Sequence, residues 1–232
     1  MQPMLFGVIF DMDGVLCDSE PFICEAACRM FRDRHGMAVQ PEDFKPFVGT
    51  GEDRFLGGVA ERYGVALDAV ADKAYTYAVY LEAIRGRLQP LRGVGAFIAL
   101  CRKQGLRLAV ASSADAVKVR GNLGEIGFPP TTFDAVVDGL MVARKKPEPD
   151  IFLLAARRLE LEPQVCLVIE DAPSGLRAAR AAGAAALGVR SSFDAATLLA
   201  AGAQWTVRDL TEACDRWPEI SGPDGAAGSA NG

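Results

Sequence analysis

The chain has 232 residues, half of them hydrophobic and 24% charged, which excludes fibrous, collagen-like and disordered proteins. Its formal net charge of −5 argues against nucleic acid as the main partner. The single histidine, His35, excludes a metal site built from several histidines, and a Ser-His-Asp triad would have to use it.

Short apolar runs in the sequence predict buried strands. Residues 5–10 (LFGVIF) form a continuous run that ends at Asp11, as in a strand covered on both faces of a parallel sheet. The pattern recurs at residues 106–111 and 165–169, and more weakly at residues 135–137 and 184–189. Helical patterns separate the later runs, at residues 94–104, 116–126, 150–159 and 173–182. This alternation predicts an α/β fold with a Rossmann-like, doubly wound parallel sheet.

Residues 19–90 interrupt the alternation and predict a separate helical cap. They contain no strand-like run and show helical periodicity at residues 22–34, 53–63 and 67–85. Because the first strand belongs with those after residue 90, this segment must leave the sheet and return to it, with hinges near residues 18–20 and 89–93. The low-complexity residues 222–232 predict a flexible tail or linker. The expected organisation is a core of residues 1–18 and 91–221, a cap of residues 19–90, and the tail.

Three kinds of sequence signal bear on the cellular location: membrane segments, targeting peptides and cysteine pairs. No apolar stretch approaches the ~18 residues of a membrane helix, so we expect no membrane segment. The fold pattern begins almost at Met1, so we expect that a targeting peptide has been removed or never existed. The six cysteines lie in apolar surroundings without a CxxC pair, which favours buried thiols in a reducing compartment.

Polar residues follow the predicted strands at the sheet edge where open parallel sheets bind ligands. They are Asp11 and Asp13 after the first strand, Ser112 and Ser113 after the second, and Glu170 and Asp171 after the run at 165–169. Lys145 and Lys146 precede a helix nearby. Each has an ordinary alternative, because the serines and Asp171 could cap helices and the lysines could be a solvated loop pair.

Asp11 and Asp13 are harder to explain without a ligand. They face the same way on an extended backbone, and burying two carboxylates side by side is costly unless a cation compensates. Mg²⁺ is the simplest cation, with Asp11 and Asp171 as direct ligands, the main-chain carbonyl of Asp13 as a third, and Glu170 acting through a water. Acids, a lysine and a hydroxyl around Mg²⁺ are the groups that typically catalyse phosphoryl transfer. Without a usable His, Ser or Cys nucleophile, we expect a carboxylate to attack, which gives an aspartyl-phosphate.

Four segments together resemble the motifs of the haloacid dehalogenase (HAD) superfamily, in order and over residues 5 to about 215. They are Asp11-Met12-Asp13-Gly14-Val15, Ser112, Lys146-Pro147, and Glu170-Asp171 with Gly175. The helical insertion resembles the type-one cap of the β-phosphoglucomutase-like subfamily. Residues 47–52, 55–59 and 110–115 resemble the HAD domain of a larger plant and algal chloroplast protein. That likeness implies the chloroplast stroma, with the cytoplasm as the alternative, and a chain that is part of a larger multidomain protein.

The family resemblance implies a role for each motif residue. Asp11 would be the nucleophile, and Asp13 would protonate the leaving alkoxide and then activate water. Ser112 and the neighbouring amide would hold phosphate oxygens. Lys146 would neutralise those oxygens and restrain Asp11, in preference to Lys145, because Lys146 occupies the motif position.

Departures from the subfamily pattern favour a phosphatase. Ile23 stands where sugar-phosphate mutases carry a cap histidine, and residues 49–52 lack their arginine. We therefore expect a monomeric, Mg²⁺-dependent phosphatase that transfers the phosphoryl group of a small phosphorylated metabolite, such as a sugar phosphate, to water. The expected substrate-binding residues are Glu20, Thr50, Gly51, Glu52 and Ser113. Glu20 and Glu52 fit first turns of helices equally well. Two alternatives remain: a regulatory or interaction domain of a larger chloroplast protein, and a mutase.

Overall fold

The computed structural model describes residues 4–47 and 51–222. Within this part of the chain, six strands form one parallel sheet: β1 (Gly7–Phe10), β2 (Arg107–Ala111), β3 (Ala135–Val137), β4 (Cys166–Glu170), β5 (Ala185–Val189) and β6 (Trp205–Val207). The strand order is β3-β2-β1-β4-β5-β6, with β1 hydrogen-bonded to β2 on one side and to β4 on the other. The order therefore reverses at β1, and a crevice forms where the carboxyl ends of these three strands meet. The predicted Rossmann-like α/β fold is confirmed.

The helices fall into two groups along the chain. Between β1 and β2 lie α1 (Glu20–His35), α2 (Pro41–Phe44), α3 (Glu52–Tyr63) and α4 (Ala69–Ile84). After them come α5 (Val94–Lys103), α6 (Ala116–Glu125), α7 (Asp150–Arg158), α8 (Pro173–Ala182), α9 (Ala195–Ala200), α10 (Leu210–Asp215) and α11 (Trp217–Ser221). No helix of the described residues is long and apolar enough to span a membrane.

Both faces of the sheet are covered, which holds β1 rigidly in the centre. Val8 and Phe10 belong to the hydrophobic cluster that contains α5 and α6, and Ile9 belongs to the cluster that contains α7 and α8. The ring of Phe10 meets that of Phe97 edge to face, with centroids 6.1 Å apart. The residue that follows β1, Asp11, is therefore held by a fully buried strand.

The helical insertion joins the sheet through two segments that run side by side. The Leu91 N–H donates to the Leu16 carbonyl at 2.9 Å, and Cys17 and Pro90 form a β-bridge. Within the insertion α1 packs on α4, and α4 also packs on α6 of the sheet layer. We propose, from this arrangement, the division into a core of residues 1–18 and 91–221 and a cap of residues 19–90. The predicted tail lies outside the described residues except for Gly222.

The predicted elements and the observed ones differ mainly at short segments. The strands and helices that the sequence predicts are present with boundaries within two residues. The sequence does not predict β6, because it has three residues and two of them are half exposed. It also misses α2 and α9 to α11, which have four to six residues each. All six cysteines are free thiols. Cys17, Cys101 and Cys166 are buried as predicted, whereas Cys24, Cys28 and Cys214 are only half-buried and pack at the margin of the hydrophobic cluster.

Candidate active site

A cavity of about 960 Å³ lies at the carboxyl edge of β1, β2 and β4. It is lined by almost all of the residues singled out from the sequence: Asp11, Asp13, Glu20, Gly51, Glu52, Ser112, Ser113, Lys146, Glu170 and Asp171. Thr50 lies outside the described residues. The topology therefore brings strand ends that are far apart in sequence to one opening.

Three buried carboxylates form the acidic centre of this cavity. Asp11, Glu170 and Asp171 each offer an oxygen within 4.8 Å of the others. Burial raises the pKa of Asp11 to about 7, although the Lys146 charge works against that rise. Burial, together with the charge of Glu170, raises the pKa of Asp171 to about 8. Three ionised carboxylates would carry more negative charge than the one ammonium beside them neutralises, so ionising all three requires a further cation.

Lys146 is the lysine that faces the first-strand aspartate. Its Nζ donates to Asp11 Oδ1 at 2.5 Å, to Glu170 Oε1 at 2.7 Å and to the Ala111 carbonyl at 3.3 Å. The two carboxylates raise the pKa of Lys146 above its usual value even though burial works in the opposite direction. Lys145 turns elsewhere and donates to the Gly139 carbonyl. Two adjacent lysines therefore have different surroundings, and the ammonium of Lys146 is the one beside Asp11.

Two glycines make room for the carboxylates. Glu170 Oε2 accepts the N–H groups of Asp171 and Ala172 at 3.0 and 3.1 Å, and a Cβ at Gly175 would overlap the Glu170 carboxylate. Gly14 has a φ of +76°, and a Cβ there would overlap the Asp171 carboxylate. Any larger residue at either position would displace an acid of the cluster.

Asp171 is also held by two serines that the sequence analysis did not single out. Ser192 donates to Asp171 Oδ2, and Ser191 Oγ lies 3.4 Å from the same oxygen. Ser191 also donates to the Gly14 carbonyl at 2.6 Å. These serines follow β5, so inspecting polar residues after the strand at 184–189 as well would have found them.

The side chain of Asp13 lies outside the three-carboxylate cluster. Its Oδ2 accepts a hydrogen bond from Lys118 Nζ at 2.9 Å, and its Oδ1 accepts one from Ser19. Its expected place beside a cation therefore depends on its main-chain carbonyl and stays a prediction. Lys118, on α6, is only 5% exposed and is a second buried lysine that the sequence analysis missed. It shares a buried helical stripe with Val119, which is the signal that could have revealed it.

The predicted substrate-binding residues and Ser112 differ in their burial and in their hydrogen bonds. Glu20 begins α1, and burial, with the charge of Asp13 adding to it, raises its pKa to about 7. Glu52 begins α3 and is buried; its Oε2 accepts the Asp115 N–H at 3.3 Å. Ser112 Oγ accepts the Ala114 N–H at 3.2 Å. Further lining residues, which the sequence did not indicate, include Asp18, Lys45, Phe55, Arg177 and Phe193.

The donor set of the cluster can be tested against a metal ion. It consists of carboxylate oxygens that approach one another within 4.8 Å, without sulfur or imidazole. Hard divalent cations prefer such oxygen ligands, and Mg²⁺ commonly uses one or two carboxylates together with a phosphate. The residues present therefore fit a hard divalent cation.

Comparison with known proteins identifies a protein family whose model matches most of this chain. The haloacid dehalogenase-like hydrolase family matches residues 7–183. The chain is 42% identical over 202 residues to Protein SUPPRESSOR OF QUENCHING 1, chloroplastic, of Arabidopsis thaliana; the match covers 84% of this chain but only 19% of that protein. It is 34% identical over 195 residues to hexitol phosphatase A of Escherichia coli (81% and 84% coverage). The crystal structure of CbbY from Rhodobacter sphaeroides in complex with phosphate superposes with a TM-score of 0.79 at 26% identity (90% and 96% coverage).

Proposed function

Because this chain belongs to the haloacid dehalogenase-like hydrolase family, we propose that it hydrolyses a small phosphomonoester through a phosphorylated Asp11, with Mg²⁺ in its acidic cluster. It is a phosphoric monoester hydrolase of that family. Relatives that it matches over most of their length include phosphatases, among them hexitol phosphatase A. A sugar phosphate or a related metabolite is accordingly the substrate class that we propose.

The observation that carries this proposal is the separation of two nearby aspartates into different surroundings. Asp11 lies in the acidic cluster beside Lys146, whereas the Asp13 side chain is held by Lys118 and Ser19. Two carboxylates that differ in this way suit two different tasks. Asp11 is fixed for attack on phosphorus, and Asp13 is available for proton transfer.

The first half-reaction follows from these positions. Asp11 attacks phosphorus, and the ester oxygen leaves with a proton from Asp13. The Lys146 ammonium lies against the attacking carboxylate, where it also neutralises phosphate oxygens. Ser112 and the neighbouring amide supply neutral donors on the other side. A divalent cation held by Asp11, Asp171 and the Asp13 carbonyl, with Glu170 behind them, would supply charge neutralisation for the phosphoryl group.

Water is the proposed acceptor in the second half-reaction. Ile23, where the related mutases carry a histidine, is buried and lines the cavity with an apolar side chain. Among the described residues that line the cavity there is no histidine to carry protons for a bound sugar. This favours a phosphatase over a mutase. Glu20, Gly51, Glu52 and Ser113 line the cavity where the substrate's leaving group would lie, and Thr50 is proposed with them.

A second candidate function is a regulatory or interaction domain with weak phosphatase activity. It is favoured by the 42% identity to a chloroplast protein of which the match spans about a fifth. On the same resemblance we propose the chloroplast stroma as the location, with the cytoplasm as the alternative, and a larger multidomain setting. We propose that the chain itself is a monomer. A metabolite screen that gives no substrate above generic activity, together with ligand-induced stabilisation, would favour this candidate.

The test is a screen of phosphorylated sugars and polyols with detection of free phosphate. Activity is measured in Mg²⁺ and in a chelator for the wild type, for Asp11→Asn and for Asp53→Asn. Asp53 is a matched control because its side chain is 71% exposed and forms an ion pair with Lys73, at 2.7 Å, away from the acidic cluster. We expect Mg²⁺-dependent phosphate release that Asp11→Asn abolishes and Asp53→Asn leaves intact. Turnover by Asp11→Asn at the wild-type rate would refute the mechanism.

A further inference from the structure

Lys118 is a buried cation that takes no direct part in the proposed phosphatase chemistry. It lies in the first turn of α6, with its side chain 6% exposed, and it lines the cavity. Its ammonium donates to Asp13 Oδ2 at 2.9 Å and lies 3.9 Å from Glu52 Oε1. The charges of Asp13 and Glu52 raise the pKa of Lys118 even though burial works against them. Burying a charged lysine is costly unless such partners are present, so its placement depends on these two acids.

The two buried lysines divide the cavity into two sides. Lys146 serves the nucleophile side, where it pairs with Asp11 and Glu170. Lys118 serves the proton-transfer side, where it pairs with Asp13 from the β1 loop and approaches Glu52 from the helical insertion. Each lysine thus joins a catalytic-site aspartate to a second, more deeply buried glutamate.

The contacts of Asp13 leave it little freedom to rotate. Lys118 holds one carboxylate oxygen and Ser19 holds the other. An oxygen that accepts one hydrogen bond keeps a second lone pair, so the carboxylate can still accept a proton. Glu52 in turn is fixed by the Asp115 N–H at 3.3 Å, so the ammonium is held between a fixed acid of the insertion and Asp13.

We propose that Lys118 is a positioning residue that holds Asp13 for the water step and ties that step to the helical insertion through Glu52. This inference rests on the proposed phosphatase function. In the water step the oxygen of water bonds to phosphorus and the bond between phosphorus and Asp11 breaks. Asp11 leaves as a carboxylate, and the water proton passes to Asp13. Without Lys118, Asp13 can rotate away from the water, and the phosphorylated enzyme persists.

The test separates the two half-reactions with p-nitrophenyl phosphate. Its nitrophenolate leaves without needing a proton, so formation of the phosphoryl-enzyme does not depend on Asp13. In rapid-mixing experiments, Lys118→Met is expected to raise the ratio of the burst rate to the steady-state rate about tenfold, since general bases typically contribute 10²–10⁴-fold. Lys118→Arg, which keeps the charge beside Asp13, is expected to restore most of the steady-state rate. A merely structural role would lower both rates together and leave the ratio unchanged.

Lys73→Met is the matched control. Lys73 also joins the insertion to α6, through Asp115 at 3.0 Å, but its partners do not include Asp13. An unchanged ratio in Lys118→Met, or the same rise in Lys73→Met, would overturn the inference. If Lys118→Met does not fold, Glu52→Gln is tested in its place; a raised ratio supports the inference and an unchanged one contradicts it. Turnover by Asp11→Asn would instead refute the phosphatase mechanism itself, so the two failures are distinguishable.

Discussion

The adjacent lysines 145 and 146 give a sharp test of the electrostatics of the site. Lys146→Met keeps most of the unbranched side chain and removes its charge, which leaves Asp11 and Glu170 without their shared cation. The Lys146 side chain is 6% exposed and contacts these acids at 2.5 and 2.7 Å. Removing one partner of a buried ion pair costs about 3–5 kcal/mol. We expect the free energy of unfolding to fall by that amount.

Lys145→Met is the control at the neighbouring position. Lys145 donates to the Gly139 carbonyl, and loss of one such hydrogen bond costs about 1 kcal/mol. The measurement is chemical denaturation of both variants and the wild type in a chelator, so that metal binding does not mask the loss. Equal losses in the two variants, or a loss below about 1 kcal/mol in Lys146→Met, would show that the ammonium of Lys146 does not compensate the buried acids.

Three further predictions concern the acids and the glycine beside them. The raised pKa of Glu20, about 7, means that its contribution to stability is present below pH 4.5 and is lost as pH rises through 7. Between pH 5 and 8, the free energy of unfolding of Glu20→Gln should therefore rise by about 1 kcal/mol relative to that of the wild type, after allowance for the partial exposure of Glu20. A difference in unfolding free energy that does not change with pH would contradict this. Saturating Mg²⁺ should raise the melting temperature of the wild type by about 5–10 °C in a thermal-shift assay, and Asp171→Asn should lose most of that rise. Gly175→Ala should lower kcat at least about tenfold, because a Cβ there would push Glu170 away from Lys146; wild-type kinetics would show that Glu170 can move without consequence.

The sequence predicts the sheet and the site well where a single strong pattern decides the outcome. The apolar runs at residues 5–10, 106–111 and 165–169 become central strands because both of their faces are covered. β6 does not follow from any such pattern, since Trp205 and Thr206 are half exposed and, within residues 4–47 and 51–222, the strand pairs with β5 alone. The other edge strand of three residues, β3, could be predicted because its sequence is an apolar run with two buried residues.

Lys118 shows why part of the site could not be predicted. A lysine in a helix is normally exposed, and only tertiary structure brings Asp13 and Glu52 to it from 105 and 66 residues away in the chain. The position of Lys118 on the stripe with Val119 and Leu123 was a readable sign that it turns inward. The preference for Lys146 over Lys145 came from a family resemblance, and the contacts of the two side chains now give it a physical basis.

The central claim is that the phosphoryl group passes through Asp11. The most direct measurement is to quench the enzyme in acid during turnover of p-nitrophenyl phosphate, reduce acyl phosphates with borohydride, and map the modified peptide by mass spectrometry. The mechanism predicts reduction at Asp11, in a fraction of molecules that increases when Asp13 is replaced by asparagine, because the water step then lacks its base. Sustained turnover without modification at Asp11, or modification at a different residue, would contradict it.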